Sequence, residues 1–506
     1  MKIFSATFFT AVLYSINAAV TPADITAARK VLLSSKSTAL QKKSALSCLK
    51  DGAENNLYDA VYWYAWMRFY GKGDMTADKK EAFKWFSKSA DSGHPRGIYW
   101  VGYLYAKGEG VEKNPSLARE FMKKAADTGQ VEQMRSFAYN CLSGRYFPKD
   151  METAVTYYKK CADKNDPHSM YQLGYCYAYG KGVTRNLSKA FEYYCMAADR
   201  GDKDAQYRAA MASFFRRGTK RDDALAFKYL TMAAEQGHLK ATYRLGNCYY
   251  FGFGVKQDFS KALEFYHQAA AKGEKESMVS IGYCYFRGFG VAKDIITASK
   301  WYEKAAAKKS VSAYLQLARI YFYGIGTEKD YEKSFHYYTL IEKSKNYQLK
   351  RISASEIALF YERGIVVPEN NEKAFYYNNY AWSSEGRIKA GLALKNGIGT
   401  KKSPDKALEK FKKSADIDKS PLGAYYAAMM ILEKPDLSQI ECKEAMDFLI
   451  FAAKKQYVPA MQKLSEIYRT GSFNIQMDKK EAEKWHSEAE KTTVYPDEYF
   501  YGSAHL

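Results

Sequence analysis

The chain repeats one pattern of small residues twelve times, and this repetition constrains its fold more than any other feature. In each copy a Gly, Ala or Ser stands six positions ahead of a loop glycine or its equivalent: Ala65, Gly102, Ala138, Gly174, Ala212, Gly246, Gly282, Ala318, Ala358, Gly391, Ala427 and Ser465. A second small-residue series, which includes Ala190, Ala262 and Ala298, advances mostly in steps of 36 residues. Self-similarity at a fixed period of this length indicates a solenoid of stacked units.

Each copy contains two segments in which apolar residues recur at the spacing of an amphipathic helix, each about a dozen residues long. A Gly-x-Gly pair such as Gly180 and Gly182 separates the two segments. Glycine adopts the positive φ that a helix C-terminus often requires, so the first glycine is expected to end the first helix. A later glycine such as Gly201 is expected to close the second helix. The sequence therefore predicts an all-α fold of about twelve helical hairpins.

The small residues predict close contacts between helices. Gly costs about 1 kcal/mol of helix propensity relative to Ala, so its recurrence at Gly102, Gly174, Gly246 and Gly282 needs a packing reason. We expect aromatic side chains to fill the adjoining space. The candidates lie mostly three residues after the second small-residue series: Trp85, Phe121, Tyr157, Tyr193, Tyr229, Phe265, Trp301, Tyr337, Tyr376 and Trp485.

The clear copies resemble the Sel-one-like repeat family, a relative of the tetratricopeptide repeats. The segments that carry the resemblance are Leu173-Gly174, Gly180-Lys-Gly-Val183, Lys189 to Ala198 and their counterparts in other copies. The resemblance covers residues 57–490 and implies a right-handed α/α superhelical solenoid. Members of the family serve as adaptors in complex assembly, envelope processes, host contact or luminal quality control.

Five copies lack the double glycine, those around Gly144, Gly218, Gly364, Lys434 and Gly471.

The two ends of the chain lack the repeat. Residues 1–19 combine Lys2 with an uncharged stretch of 14 residues and then small residues, an arrangement typical of a secretory signal peptide. An uncleaved anchor is the alternative. Residues 20–56 are predicted to form an N-terminal helical cap, and residues 491–506 an aromatic tail or cap. We therefore expect an exported protein of the bacterial periplasm or a secreted one, with the eukaryotic secretory pathway as the alternative.

The chain carries a net charge of +21, and part of this excess is repetitive. Lys113, Arg185, Lys293, Lys329 and Lys402 each stand five residues after the first loop glycine, which predicts a basic edge. Such an edge suits an acidic protein partner or an anionic envelope polymer, and a solvated loop face is the alternative. Nucleic acid is disfavoured, because the aromatic residues follow core spacing and do not alternate with the charges.

The longest interval between loop glycines separates Gly324 from Gly364 by 40 residues. It contains a polar stretch where other copies continue directly into the next helix. We expect residues 343–351 to project from the stack and to contact a partner through Lys343, Lys345 and Tyr347. A tolerated surface insertion is the alternative.

Eight cysteines in an exported chain would suit a disulfide framework, but their positions favour packing. Cys176, Cys248 and Cys284 share a column that other copies fill with apolar residues. Corresponding positions of stacked helices lie about 8–10 Å apart, beyond the reach of a disulfide. We expect most of the thiols to be free and buried, and a pair of Cys176 with Cys161 or Cys195 is the alternative.

The sequence lacks the usual patterns of catalytic and metal sites. The seven histidines form no H-E-x-x-H and the cysteines no C-x-x-C, so neither a metal nor a cofactor is predicted. His94, His168 and His238 fall at turns between repeats, where polar capping is expected. Ser47-Cys-Leu-Lys50 and Ser403-Pro-Asp-Lys406 match S-x-x-K, but the companion S-D-N and K-T-G motifs are absent.

The function predicted first is that of a monomeric, non-enzymatic scaffold that binds protein partners along a solenoid surface. One alternative is a binder of an anionic cell-envelope polymer through the basic edge. The other is a weak β-lactam-binding or hydrolysing protein, because such activity has been described for some members of the family that the chain resembles.

Overall fold

The computed structural model of the protein describes residues 20–73 and 75–492. In this part of the chain it contains 26 α-helices, one short 3₁₀ helix and no strand. The chain divides into two compact units, residues 1–258 and 259–506. Within each unit a helix packs mainly against the helices that precede and follow it in the sequence, as in a solenoid. The predicted all-α solenoid of about twelve repeats is confirmed.

The first unit contains thirteen helices. They are α1 (Pro22–Leu33), α2 (Ala39–Glu54), α3 (Tyr58–Tyr70), α4 (Lys79–Asp91), α5 (Pro95–Lys107), α6 (Pro115–Asp127), α7 (Val131–Ser143), α8 (Met151–Asp163), α9 (Pro167–Tyr179), α10 (Leu187–Asp199), α11 (Lys203–Phe214), α12 (Asp223–Glu235) and α13 (Leu239–Phe251). Helices α1 and α2 precede the repeats, and Ile25 and Leu49 share a buried cluster with Met67 of α3.

The second unit contains the other thirteen α-helices. They are α14 (Phe259–Ala271), α15 (Lys275–Arg287), α16 (Ile295–Ala307), α17 (Val311–Tyr323), α18 (Tyr331–Glu342), α19 (Tyr347–Arg363), α20 (Asn371–Tyr380), α21 (Ser384–Asn396), α22 (Pro404–Asp418), α23 (Pro421–Leu432), α24 (Gln439–Lys454), α25 (Val458–Thr470) and α26 (Lys479–Lys491), with the 3₁₀ helix Ser472–Asn474 between the last two.

From α3 onward, consecutive helices make up twelve repeats, each with a helix A followed by a helix B. Repeat 1 is α3 and α4, and repeat 12 is α25 and α26. None of the helices in the described part of the chain combines the length and the apolar character that a bilayer span needs. The signal-peptide prediction for residues 1–19 and the prediction for residues 493–506 fall on residues that the structure does not describe.

The small residues of helix A lie against a large buried side chain of helix B in the same repeat. A Cβ atom added to Gly174 would lie 2.6 Å from the Tyr194 ring, and one added to Gly282 would lie 2.6 Å from the Tyr302 ring. At Gly102 the nearest atom, 2.9 Å away, belongs to Met122. The small-residue column therefore marks close contacts between helices, as predicted.

In most repeats a large buried side chain follows the second small-residue series by four residues, one more than the predicted three. This buried column is Phe86, Met122, Tyr158, Tyr194, Leu230, Tyr302, Tyr338, Phe411 and Leu449. Of the residues predicted at a spacing of three, Tyr157, Tyr229 and Trp485 are buried, whereas Trp85, Tyr193 and Trp301 are only partly buried. Both spacings keep a side chain near the same helix face, and only the packing against helix A distinguishes them.

Repeat 5 departs from the predicted register by two residues. Its helix A ends at Phe214, and Arg216 adopts the positive φ, 53°, that a glycine has in most repeats. Ala210, which is fully buried, therefore occupies the small-residue column in place of Ala212. Gly218 corresponds to Gly182, the second glycine of the pair, so this repeat has lost the first glycine and kept the second.

The second glycine of most pairs packs against the start of helix B in the preceding repeat. A Cβ atom at Gly182 would overlap with the carbonyl oxygen of Met151, the first residue of α8. Equivalent overlaps with the first residue of the preceding helix B would arise at Gly110, Gly218, Gly254, Gly290 and Gly399. Only glycine allows this approach of two backbones, which ties each hairpin turn to its neighbour.

A column of capping residues starts helix B, and the sequence analysis did not single it out. The side chain of Asn186 accepts a hydrogen bond of 2.9 Å from the backbone N–H of Lys189. The same N-cap bond is made by Asp78, Asn114, Asp150, Asp222, Asp294, Asp330, Asn370 and Asp478. Each such cap stabilises a helix by about 1 kcal/mol. An Asp or Asn at the 36-residue period is the signal that would have found them.

Candidate partner-binding surface

The five basic residues of the predicted edge share one local geometry. Each is exposed and directly precedes the N-cap of helix B. Each side-chain stem covers the glycine that ends helix A: a Cβ atom on Gly180 would lie 3.4 Å from the Cβ of Arg185. The same contact joins Lys113, Lys293, Lys329 and Lys402 to the glycines that end their own helices A.

This position also places a cation at the C-terminus of helix A. Arg185 donates a hydrogen bond of 3.2 Å from Nε to the carbonyl oxygen of Ala178. A cation beside the last carbonyl groups of a helix contributes about 0.3–1 kcal/mol. Lys149 and Arg221 occupy the same position in repeats 3 and 5, and sequence reasoning missed both. The column thus has a local structural role, and partner contact by these residues stays a prediction.

Exposed aromatic side chains form a second column at the C-terminal end of helix A. Tyr179, Phe215 and Phe251 are 57%, 56% and 55% exposed in the consecutive repeats 4, 5 and 6. They are 36 residues apart, so the repeat period would have revealed them. Phe251 is supported from the side by Phe253, whose ring stacks at a centroid distance of 5.3 Å. Exposed apolar groups that recur in neighbouring repeats are typical of a binding surface.

The two columns meet at a cleft between the hairpin of repeat 4 and helix α11 of repeat 5. Tyr179 and Arg185 line this cavity of about 290 Å³ together with Arg208 and Arg217. Apolar residues of α10 and α11 complete its wall: Leu187, Ala190, Phe191, Met211 and Ala212. The buried ring of Tyr194, which packs against Gly174, also lines it.

The segment predicted to project from the stack is mostly helical. Helix α18 ends at Glu342, and α19 begins at Tyr347 and is 17 residues long, where most helices A have 13. The extra residues of the long interval therefore extend helix A by about one turn and do not form a projecting loop. Asn346 caps this helix by accepting a hydrogen bond of 3.1 Å from the Leu349 N–H.

The residues of this segment differ in their surroundings. Lys343 and Lys345 are exposed in the short connection, and Tyr347 is 71% exposed at the start of α19. Arg351 instead packs inward: its Nε donates to the carbonyl oxygen of Tyr380 at 3.2 Å, and its guanidinium lies 4.7 Å from the Trp382 ring. Partner contact by Lys343, Lys345 and Tyr347 stays a prediction.

Two histidines act as N-caps of helix A. His94 Nδ1 accepts a hydrogen bond of 3.2 Å from the Gly97 N–H, and His238 Nδ1 accepts one of 3.1 Å from the Ala241 N–H. Each ring stacks on a tyrosine, His94 on Tyr62 at a centroid distance of 4.9 Å. The capping role predicted for these two is confirmed, whereas His168 is exposed beyond the cap position.

We expect stability to fall in mild acid because these caps require neutral imidazole rings. Burial lowers the pKa of His94 and His238 below the usual 6.5, although Asp59 and Asp204 oppose this effect. The protons that would charge these two imidazole rings therefore bind less tightly to the folded protein than to the unfolded chain. The stabilisation from these two caps should be fully present above about pH 6.5 and should be lost as the pH falls through the folded-state pKa.

The measurement is the melting temperature of the wild type and of the double variant His94→Asn/His238→Asn between about pH 7 and pH 5. Asparagine keeps an N-cap acceptor but does not titrate in this range. The variant should lose less stability than the wild type on acidification. Parallel losses in the two proteins would contradict the role assigned to the histidines.

All eight cysteines are free. Cys141, Cys161, Cys176, Cys248, Cys284 and Cys442 are buried, while Cys48 and Cys195 are partly exposed. Burial raises the pKa of Cys141 to about 12 and that of Cys176 to about 11. The prediction that most thiols are free and buried agrees with this structure.

Thiol labelling of unreduced protein tests the cysteine chemistry directly. In denaturant we expect all eight thiols to react, because none is paired. In the native protein labelling should be slow and confined to Cys48 and Cys195, since the other six are buried. Fewer than eight reactive thiols in denaturant would reveal a disulfide and contradict this account.

The two S-x-x-K segments lie on different helices. Ser47 and Lys50 lie on α2, and the lysine pairs with Glu54 at 3.7 Å. Ser403 is the N-cap residue of α22. Its side chain makes no capping hydrogen bond. In the part of the chain that the structure describes, no group of three or more His, Cys, Asp or Glu residues is suited to hold a metal ion.

The comparison with protein families agrees with the repeat structure. A model of the Sel1 repeat matches eleven segments: residues 59–94, 95–129, 136–166, 167–202, 203–238, 239–274, 275–310, 311–341, 352–377, 384–418 and 458–491. These segments make up more than half of the chain. The chain belongs to the Sel1 repeat family. Repeat 11, which no segment matches, still consists of two helices, α23 and α24, whose turn lacks the glycine pair.

A solved structure shares the fold. A protective antigen of uropathogenic Escherichia coli strains, c5321, described as having an SLR fold, matches with a TM-score of 0.69 and 23% identity, over 87% of this chain and 94% of that one. A Sel1 repeat protein from Oxalobacter formigenes is 28% identical over 59% of this chain and 85% of that one, with a TM-score of 0.48. No curated protein matches the chain. Sel1 repeat proteins are generally protein-interaction scaffolds.

Proposed function

We propose that the protein is an exported, non-enzymatic scaffold that binds a protein partner along the edge formed by the C-terminal ends of its helices A. The observation that carries this proposal is the column of exposed aromatic residues in repeats 4 to 6, Tyr179, Phe215 and Phe251. Aromatic and arginine side chains dominate the energetics of protein interfaces, and both occur at this edge. Membership of the Sel1 repeat family supports the same function.

Export is part of the proposal and rests on residues 1–19. Their arrangement is that of a signal peptide, which would direct the protein to the bacterial periplasm or the medium, or to a eukaryotic secretory pathway. N-terminal sequencing of the protein from its native compartment tests this. A mature N-terminus near residue 20 is expected, and an intact N-terminus would contradict cleavage.

Cross-linking in the native compartment, followed by isolation of the protein, tests partner binding. The triple variant Tyr179→Ser/Phe215→Ser/Phe251→Ser should lose the cross-linked partner. A matched control is Ile296→Ser/Ile417→Ser/Met477→Ser, which removes three apolar side chains that are 61%, 64% and 67% exposed elsewhere. Equal partner recovery with all three proteins would contradict a role for the aromatic column.

A binder of an anionic envelope polymer is the second candidate, favoured by the exposed basic column and the net charge of +21. The dependence of binding on ionic strength distinguishes a polymer binder from a protein scaffold. Binding to a polymer through exposed cations should weaken steeply as ionic strength rises, whereas a partner held by aromatic side chains should respond little.

A further inference from the structure

The cleft between repeats 4 and 5 collects arginines that have no acidic partner. Arg185, Arg208 and Arg217 all line it, and no Asp or Glu does. Across residues 20–73 and 75–492, none of the three takes part in an ion pair, whereas the neighbouring Arg221 pairs with Asp223 at 2.7 Å. Cations gathered in one concave site without counter-charges favour an anionic ligand.

The arginines are held in place by local contacts. The bond from Arg185 Nε to the Ala178 carbonyl oxygen orients its guanidinium and leaves the two terminal nitrogens unpaired. The guanidinium of Arg217 lies 5.5 Å from the Phe215 ring. Arg208 neighbours the Tyr171 hydroxyl. Guanidinium groups fixed in this way bind carboxylates in bidentate geometry at a reduced entropic cost.

The turn that carries Arg217 has an unusual backbone. Among the described turns that end helix A in the first unit, only that of repeat 5 has a non-glycine residue at positive φ: Arg216, at 53°, stands where repeats 4 and 6 have Gly180 and Gly252. This conformation is unfavourable for a residue with a Cβ atom. Arg216 adds a cation next to Arg217, in one of the two turns that line the cleft.

The rest of the cavity wall is apolar, and this determines the class of ligand. Leu187, Phe191 and Met211 line it below the aromatic rim formed by Tyr179. A phosphate polymer would gain nothing from these side chains, whereas a peptide presents carboxylates and apolar side chains together. A cavity of about 290 Å³ accommodates a few side chains.

We infer that the cleft formed by Arg185, Arg208, Arg217, Tyr179 and Phe191 binds a segment of a partner protein in which acidic residues flank an apolar side chain. This inference rests on the proposed scaffold function and names the chemistry of the partner. The carboxylates contact the arginines, and the apolar side chain enters the space beside Phe191.

Peptide selection tests the inference with the full-length chain. Short random peptides displayed on phage are selected against the wild type, and the enriched peptides are titrated by fluorescence anisotropy. We expect them to combine Asp or Glu with Leu, Phe or another large apolar residue. Their affinity for the variant Arg185→Gln/Arg208→Gln/Arg217→Gln should fall about ten-fold or more.

The matched control is Lys159→Gln/Lys300→Gln/Lys454→Gln, which removes the same charge from three exposed lysines on helices B, outside the cleft and outside the basic column. Its affinity for the peptides should stay within about two-fold of the wild type. Circular dichroism and melting temperatures establish that both variants are folded. A further probe, inorganic polyphosphate, reports on the binding of anions that lack apolar groups. It should compete only weakly with the selected peptides for the wild-type protein.

Each other outcome overturns the inference in a distinguishable way. Peptides that are selected but lack acidic residues, or that bind the arginine variant as tightly as the wild type, contradict the cleft and leave the scaffold function standing. Failure to select any peptide, together with tight polyphosphate binding to the wild type, contradicts both and favours the polymer. Self-association in sedimentation that the arginine substitutions abolish would make a second copy of the chain the occupant.

Discussion

Replacing Gly182 by alanine is expected to destabilise the protein by about 2–5 kcal/mol, a larger effect than at any other residue of this hairpin turn. Two terms add. The glycine has a φ of 69°, which costs an alanine about 1–2 kcal/mol. The added Cβ atom would also overlap with the carbonyl oxygen of Met151 in the preceding repeat, and backbone cannot move aside as a flexible side chain can.

Gly180→Ala is the matched control for this prediction. Gly180 stands two residues earlier in the same turn and has a similar φ of 67°, but the nearest atom to an added Cβ is 3.4 Å away. This variant should lose only about 1–2 kcal/mol, the cost of the backbone conformation. Denaturant titrations of the two variants give the difference. Equal destabilisation would mean that the contact between repeats contributes nothing.

Replacing Arg319 by methionine should cost about 3–5 kcal/mol. The guanidinium binds Glu356 through two hydrogen bonds of 2.6 and 3.1 Å, and the two side chains are only 14% and 12% exposed. Although burial by itself lowers the pKa of Arg319, the Glu356 carboxylate raises it above the usual value, so the guanidinium is charged. Removal of one partner leaves an uncompensated carboxylate between α17 and α19.

A double-mutant cycle separates loss of the pair from loss of packing. The variant Arg319→Met/Glu356→Leu replaces both charges by apolar groups and should recover most of the lost stability. The exposed pair Glu409–Lys413 provides a control, and Lys413→Met should change the free energy of unfolding by less than about 1 kcal/mol. A double variant less stable than Arg319→Met would contradict the explanation.

The sequence predicts the helices and their repetition well, because glycine and alanine at fixed positions report on backbone conformation and close packing. The sequence does not predict the register of a repeat, or the residue that is buried, where two alternatives fit the helix pattern equally well. In repeat 5 the register depends on Arg216 taking a backbone conformation that the sequence assigns to glycine. The buried side chains of helix B follow the small residue by four positions, and spacings of three and four both fit a helix face.

The candidate site is less predictable than the fold. The basic column is visible in the sequence, but its contacts with the glycines that end helix A are not. The cleft depends on residues from three helices and two turns, among them Arg185, Arg208 and Arg217, which come together only when repeats 4 and 5 stack. The exposure of Tyr179, Phe215 and Phe251 likewise depends on packing, since most aromatic residues of the chain fill the interior.

The backbone contact between each hairpin turn and the preceding helix B restricts how such a chain can change length during evolution. Residues inserted between Met151 and Gly182 would displace the glycine from the only position where two backbones fit together. The start of helix A lies inside this interval, so extra residues there are expected in a repeat that has lost the second glycine. Repeat 9 is such a case. Its 17-residue α19 adds about one helical turn, and Val366, with a φ of 65°, stands where repeat 4 has Gly182.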